Sequence, residues 1–160
     1  MAIVPALDDT LLVLDTDVLT DWRYRKPHTQ QAIRNYLSRH GRLPALTAIT
    51  VFEALKGFEA LASRLAGLDD RARKDLTATE ELIQSSDVLP FDQKAAAIAA
   101  YSFARLSQSE RNKHWCDLMT VAIALSHGHG VATRNQSDFE RIGQYLPDSH
   151  PLLYLAIWKS

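Results

Sequence analysis

The chain has 160 residues, with 18 Lys plus Arg against 19 Asp plus Glu and a formal net charge of −1. A hydrophobic fraction of 46% and a charged fraction of 23% exclude a disordered chain, and the length suits a single domain over residues 1–160. A charge this close to zero excludes a protein that holds nucleic acid as a bulk polycation, although local patches remain open.

In chain order, the first element is Thr10-Leu11-Leu12-Val13-Leu14, an apolar run ending at Asp15. It is too short for a helix and lacks polar alternation, so it reads as a strand buried on both faces. Ile33, Tyr36 and Leu37 mark one face of a helix that stops near Gly41. Leu43-Pro44-Ala45-Leu46 is a weaker strand candidate, because Pro44 lacks a backbone donor. Val51, Leu55, Phe58, Ala62 and Leu65 then follow a 3.6-residue spacing until Gly67 interrupts it. A second helix carries Ala72, Leu76, Thr79 and Ile83 behind a cap at Asp69 or Asp70. Val88-Leu89-Pro90-Phe91 reads as a strand, followed by a helix capped by Asp92 with Ala95, Ile98, Ala99, Phe103 and Leu106 turned inward. Ser107–Lys113 is a polar segment that reads as a loop. Beyond it, Leu118, Val121, Ala122 and Leu125 form a helix that Gly128 ends at a C′ position. Gly130–Thr133 and Leu152–Ile157 are the last strands. Short strands alternating with helices predict an α/β fold with a mainly parallel sheet.

No apolar run reaches the roughly 18–20 residues needed to span a bilayer. Asp8 and Asp9 fall where a signal peptide would have its apolar region. Cys116 stands alone, which excludes an intrachain disulfide. These features together predict a cytoplasmic location.

Ligands of open α/β sheets bind beyond the carboxyl ends of the strands, and the acids collect there. Asp15 and Asp17 follow the first strand, and Asn135 and Asp138 follow the strand ending at Thr133. Asp117 is placed at the opening of the helix after the polar loop, and Glu53 at the opening of the helix after Leu43–Leu46. Each has a plain alternative: Asp15, Asp17 and Asp138 as caps or turn residues, and Asp117 as a favourable charge at a helix start. Glu53 lies opposite the Val51–Leu55–Phe58 stripe, which by periodicity makes it a solvated side chain. Converging carboxylates repel one another and raise one another's pKa. A hard divalent cation, Mg²⁺ or Mn²⁺, relieves that repulsion and supports phosphoester hydrolysis.

The stretches that carry these acids resemble PIN-domain ribonucleases, most of all the VapC-type toxins of bacterial type II toxin–antitoxin systems. They are Leu-Val-Leu-Asp-Thr-Asp-Val-Leu at residues 12–19 and Thr-Ala-Ile-Thr-Val-Phe-Glu-Ala-Leu-Lys-Gly at 47–57. Val-Leu-Pro-Phe-Asp at 88–92 and Asp-Leu-Met-Thr-Val-Ala-Ile-Ala-Leu-Ser-His-Gly at 117–128 come next. Val-Ala-Thr-Arg-Asn-Gln-Ser-Asp-Phe-Glu-Arg-Ile at 131–142 completes the set, in the family's order and across nearly the whole chain. The resemblance implies a three-layer α/β/α fold around a mainly parallel sheet of about five strands. It implies Asp15, Glu53, Asp117 and Asp138 as the four catalytic carboxylates, with Asp15 and Asp117 the principal metal ligands. Asp17, Thr133 and Asn135 are the supporting polar residues. The implied activity is Mg²⁺- or Mn²⁺-dependent endoribonuclease cleavage with water as nucleophile. The implied partners are an RNA substrate, a small VapB-like antitoxin that fills the active-site groove, and a second copy of the chain.

Three features depart from the family pattern. Asp17 stands where Asn or Ser is common, and the chain extends past Ile142 through Asp148–Pro151 instead of closing in a Pro-Gly-Leu tail. Asn112-Lys113-His114-Trp115-Cys116 replaces a small, Gly-containing approach to Asp117.

The charge is unevenly spread. Residues 21–42 hold Arg23, Arg25, Lys26, Arg34, Arg39 and Arg42 against Asp21 alone, a local +5 that leaves −6 for the remainder. Arg23, Tyr24, Arg25 and Lys26, with Arg134, are candidates to hold RNA phosphates and stack an unpaired base. The alternative is a solvated helix face with Trp22 and Tyr24 used in packing. His127 and His129 read as loop residues and Cys116 as a packing residue. Two other functions fit parts of the pattern. A haloacid-dehalogenase-like phosphohydrolase would use Asp15 as nucleophile and Asp17 as acid–base, with Thr47 or Thr50 as its hydroxyl. A non-catalytic PIN scaffold would keep the fold alone.

Overall fold

The computed structural model describes residues 2–64 and 67–160; Leu65, assigned above to a helix stripe, lies outside them. The elements are β1 (Ile3–Pro5), β2 (Leu12–Leu14), α1 (Thr16–Arg23), α2 (Pro27–His40), β3 (Leu46–Thr47) and α3 (Ala48–Arg64). They continue with α4 (Asp70–Ser85), β4 (Val88–Leu89), α5 (Gln93–Arg105), α6 (Gln108–Ser126), β5 (Gly130–Thr133), α7 (Gln136–Gly143) and β6 (Leu153–Ile157).

Four strands form a parallel sheet in the order β1-β6-β5-β2, and β3 pairs in parallel with β4. A bridge between Val13 and Ala45 joins the two sets: Leu14 N–H donates to the Ala45 carbonyl at 2.9 Å, and Ala45 N–H donates to the Leu12 carbonyl at 3.0 Å. The expected sheet of about five strands is thus four, prolonged by a two-stranded edge. The strand β1 was not anticipated. It is three residues long, and its Pro5 is tolerated because β1 is an edge strand with one neighbour.

Alternate residues of β2 and β5 enter opposite cores. Val13 and Val131 pack with α5, α6 and α7 residues such as Ile98, Val121 and Phe139. Leu12, Leu14 and Ala132 pack on the other face with Val18, Trp22, Ile33 and Tyr36 of α1 and α2. Two apolar faces on one sheet require two covering layers, which is the three-layer α/β/α arrangement. Trp22 is therefore a core residue.

The caps at Asp69 and Asp92 form as expected, accepting from Ala72 and Ala95 backbone N–H groups at 2.8 and 2.9 Å. Gly41 (φ 67°) and Gly128 (φ 70°) end α2 and α6 in the left-handed region, where glycine carries no steric cost. Several expectations need correction. Ser107–Lys113 is not a loop: Ser107 caps α6 and Gln108–Lys113 are its first turns, with Glu110 completing a capping box. Asp117 therefore sits in the middle of α6, not at its start, and Glu53 lies in the second turn of α3. Phe103 and Leu37 are exposed. Ser102 takes the inward position on α5 instead, donating to the Tyr145 carbonyl at 2.7 Å.

Gly130 places β5 hard against β6. A Cβ there would lie 2.7 Å from the Tyr154 carbonyl oxygen. We expect Gly130→Ala to cost about 1–3 kcal/mol through this overpacking, read as a lower urea midpoint with an unchanged slope. No helix among the described residues is long and apolar enough to cross a membrane.

Candidate active site

The carboxyl ends of β2 and β5 lie side by side, and the site is assembled on them. Asp15 leaves β2 in an extended conformation (φ −68°, ψ 158°) and caps α1, its Oδ1 accepting the Thr16 N–H at 2.7 Å. Its Oδ2 accepts the hydroxyl proton of Thr133, at the end of β5, at 3.0 Å. That same Thr133 oxygen accepts the Asn135 N–H at 3.0 Å, and the Asn135 side-chain amide donates to Asp138 Oδ2. A fully buried threonine thus couples Asp15 on one strand end to Asp138 in the first turn of α7.

Glu53 is held from a third direction. The Thr16 hydroxyl donates to Glu53 Oε1 at 2.8 Å, so the residue that Asp15 caps also anchors the acid of α3. Glu53 is half-buried at this junction, not the solvated side chain that periodicity gives. Asp117 enters from α6, which packs against both α3 and α7. Its carboxyl is pushed up to about 8, first by burial and then by the negative charges of Asp15, Glu53, Asp138 and Asp17. Asp15 is pushed up to about 6, chiefly by burial, against the lowering hydrogen bonds from Thr133 and Thr16. The four sequence-predicted acids come together, and Asp117 feels all three others.

The cluster has the chemistry of a cation site. Negative charge is concentrated beyond what the protein alone neutralises, and the donors are carboxylate oxygens. Among the described residues, ligand atoms of His114, Asp117 and Asp138 lie within 4.8 Å of one another. In the sequence His114 stands out only as part of an atypical approach to Asp117. Its spacing three residues before Asp117 on one helix is the signal that brings it to the same face.

The other candidates divide. Asp17 is half exposed at the rim, 3.6 Å from Arg134, whose other nitrogen contacts buried Asp21 at 3.2 Å. Arg134 therefore sits at the rim with its guanidinium engaged by Asp17 and Asp21. Arg23 reaches inward, donating to the Thr79 hydroxyl at 3.2 Å and stacking over the Tyr24 ring. Tyr24, Arg25 and Lys26 are exposed between α1 and α2. His127 and His129 lie at the amino end of β5, whereas the acids gather beyond the carboxyl ends of β2 and β5, so these histidines lie outside the cluster. Burial and the Glu53 charge push the Cys116 thiol up to about 12, so it stays protonated and packs. Thr47 and Thr50 are fully buried, 3.1 Å apart, and Thr50 donates to the Leu14 carbonyl. Both hydroxyls are thus engaged inside the core, not free for the role a phosphohydrolase would give them.

The PIN domain family model matches residues 12–145. No curated protein matches the chain. Among solved structures, DNA-bound VapBC from Salmonella typhimurium is similar at 22% identity and a TM-score of 0.70, covering 94% of this chain and 99% of that one. FitAcB from Neisseria gonorrhoeae is similar at 24% identity and a TM-score of 0.60, covering 94% of this chain and 100% of that one. VapBC-5 from Mycobacterium tuberculosis, of the VapBC family of toxin–antitoxin systems, is similar at 23% identity and a TM-score of 0.58. It covers 94% of this chain and 99% of that one. At these identities the likeness is one of fold.

Proposed function

The chain belongs to the PIN domain family, and from that premise we propose that it is a Mg²⁺- or Mn²⁺-dependent endoribonuclease, the toxin of a toxin–antitoxin pair. The observation that carries this reading is the meeting of Asp15, Glu53, Asp117 and Asp138 from four separate segments, with Asp117 driven to about 8 first by burial and then by the charges of its acidic neighbours. Asp15 and Asp117 would be the principal ligands of the ion, with Glu53 and Asp138 beside them. A divalent cation there supplies charge neutralisation and Lewis acidity for phosphodiester hydrolysis.

Thr133, Asn135 and Thr16 fix the orientation of the acids through the bonds already described, and Asp17 adds charge at the rim. Tyr24, Arg25 and Lys26, with Arg134 beside Asp17, are the proposed contacts to RNA, through phosphate charge and base stacking. Arg23 supports this segment from within. The likeness to solved toxin–antitoxin proteins supports a small antitoxin as partner. A homodimer acting on cellular RNA in the cytoplasm is proposed on the sequence resemblance alone. The buried, mutually bonded Thr47 and Thr50 and the family match leave the phosphohydrolase reading without support.

The test is sequencing of RNA 5′ ends after induced expression. New, recurrent ends are expected with the wild type and none with Asp15→Ala. Identical ends from both proteins would overturn the reading, and no new ends from either would favour a scaffold without activity.

A further inference from the structure

We propose that His114 is a direct nitrogen ligand of the metal centre and biases it from Mg²⁺ toward first-row transition ions; this rests on the reading of the carboxylates as a cation site. The side chain of His114 is 7% exposed, on α6 one turn before Asp117. Its Nδ1 is buried and has no hydrogen-bond partner among the described residues. A buried ring nitrogen without a partner is uncommon, because losing water without replacement is unfavourable. Asp117 Oδ2 lies 3.8 Å from this nitrogen, too far for a hydrogen bond. Asp138 supplies the third face of the group, with all ligand atoms within 4.8 Å of one another. An ion between them would take up both the unused nitrogen lone pair and the crowded carboxylate charge, with the imidazole proton on Nε2.

The donor type decides the metal preference. Mg²⁺ is held by oxygen and retains several waters, whereas imidazole suits first-row transition ions. A set of one imidazole and several carboxylates favours Mn²⁺ over Mg²⁺, and ions later in the series more strongly still. His114 lies in the segment where the sequence departs from the small approach to Asp117, so the chain itself introduces this donor.

The test uses the full chain with Mn²⁺ as probe. Pulsed EPR of the Mn²⁺ protein is expected to show ¹⁴N coupling from one directly bound imidazole, and His114→Gln is expected to lose it. The Mn²⁺ dissociation constant should rise about tenfold or more in that variant, since even outer partners of metal ligands are worth that much. Mg²⁺ affinity, read by competition, should change far less. Bound Mn²⁺ without ¹⁴N coupling in the wild type would overturn the role of His114 and leave the carboxylate site standing. Absence of any Mn²⁺ binding would overturn both. If His114→Gln does not fold, the wild-type spectrum still decides, because His114 is the histidine grouped with the acids among the described residues.

Discussion

Asp117→Asn is expected to abolish metal-dependent RNA cleavage while making the metal-free protein more stable at neutral and alkaline pH. The catalytic loss follows from removing a charged ligand at the centre of the cluster. Lewis-acid stabilisation is worth several kcal/mol, so a fall on the order of 10³-fold is expected in the cleavage rate. The stability gain follows from proton linkage. Asp117 is raised from 3.8 to about 8 in the folded chain, by burial first and then by its acidic neighbours. Between those values the folded protein keeps a proton that the unfolded chain has released. Stability of the metal-free protein therefore falls as pH rises from about 4 to about 8, by up to about 1.4 kcal/mol per pH unit. Asn mimics the protonated carboxyl and removes this slope. Urea denaturation in EDTA at pH 5 and pH 8 should show the wild type losing several kcal/mol more than Asp117→Asn across that interval. Parallel losses in the two proteins would mean that Asp117 is not the strained acid.

The strands and the caps were legible because they are local. Leu12–Leu14 is apolar throughout and ends at an acid, and Asp69 and Asp92 precede apolar periodicity. What escaped the sequence was set by what lies beyond each element. The first turns of α6 are polar on every side, so no periodicity marks them as helix. Only the pairing of Ser107 with Glu110 does. Hydrophobicity alone turns Phe103 inward. The structure instead leaves its ring outside with the Arg111 guanidinium 4.9 Å away, and buries Ser102, whose hydroxyl has a carbonyl to meet. The acids were legible as a set and obscure singly. Helical spacing sends Glu53 to solvent, and it is the Thr16 hydroxyl, 37 residues away in sequence, that gives it a place. His114 was obscure for the converse reason: a lone histidine means little until its buried nitrogen is seen to lack a partner among the described residues.

Divalent metal affinity is expected to rise about tenfold per pH unit between pH 6 and 8. Ligation requires carboxylates in the ionised form, and the cluster withholds ionisation. Asp15 is raised to about 6 and Asp117 to about 8, so at pH 7 the metal-free site holds close to one proton that an incoming ion must displace. The acids interact, so that proton belongs to the cluster and not to one residue. Calorimetric titration with Mn²⁺ in two buffers of different ionisation enthalpy should count about one proton released at pH 7. Below pH 6 two protons must leave, and the dependence should steepen. Asp117→Asn should release less than wild type and flatten the profile. An affinity that does not vary from pH 6 to 8 would place the ion away from Asp117 and so against the proposed site. The same linkage ties metal to folding. Metal that binds only the folded state stabilises it by RT ln(1 + [M]/Kd), and most at the alkaline end, where the uncompensated acids cost the apo-protein most. The carboxylates that make the empty fold sensitive to pH are thus the ones that make it depend on its ion.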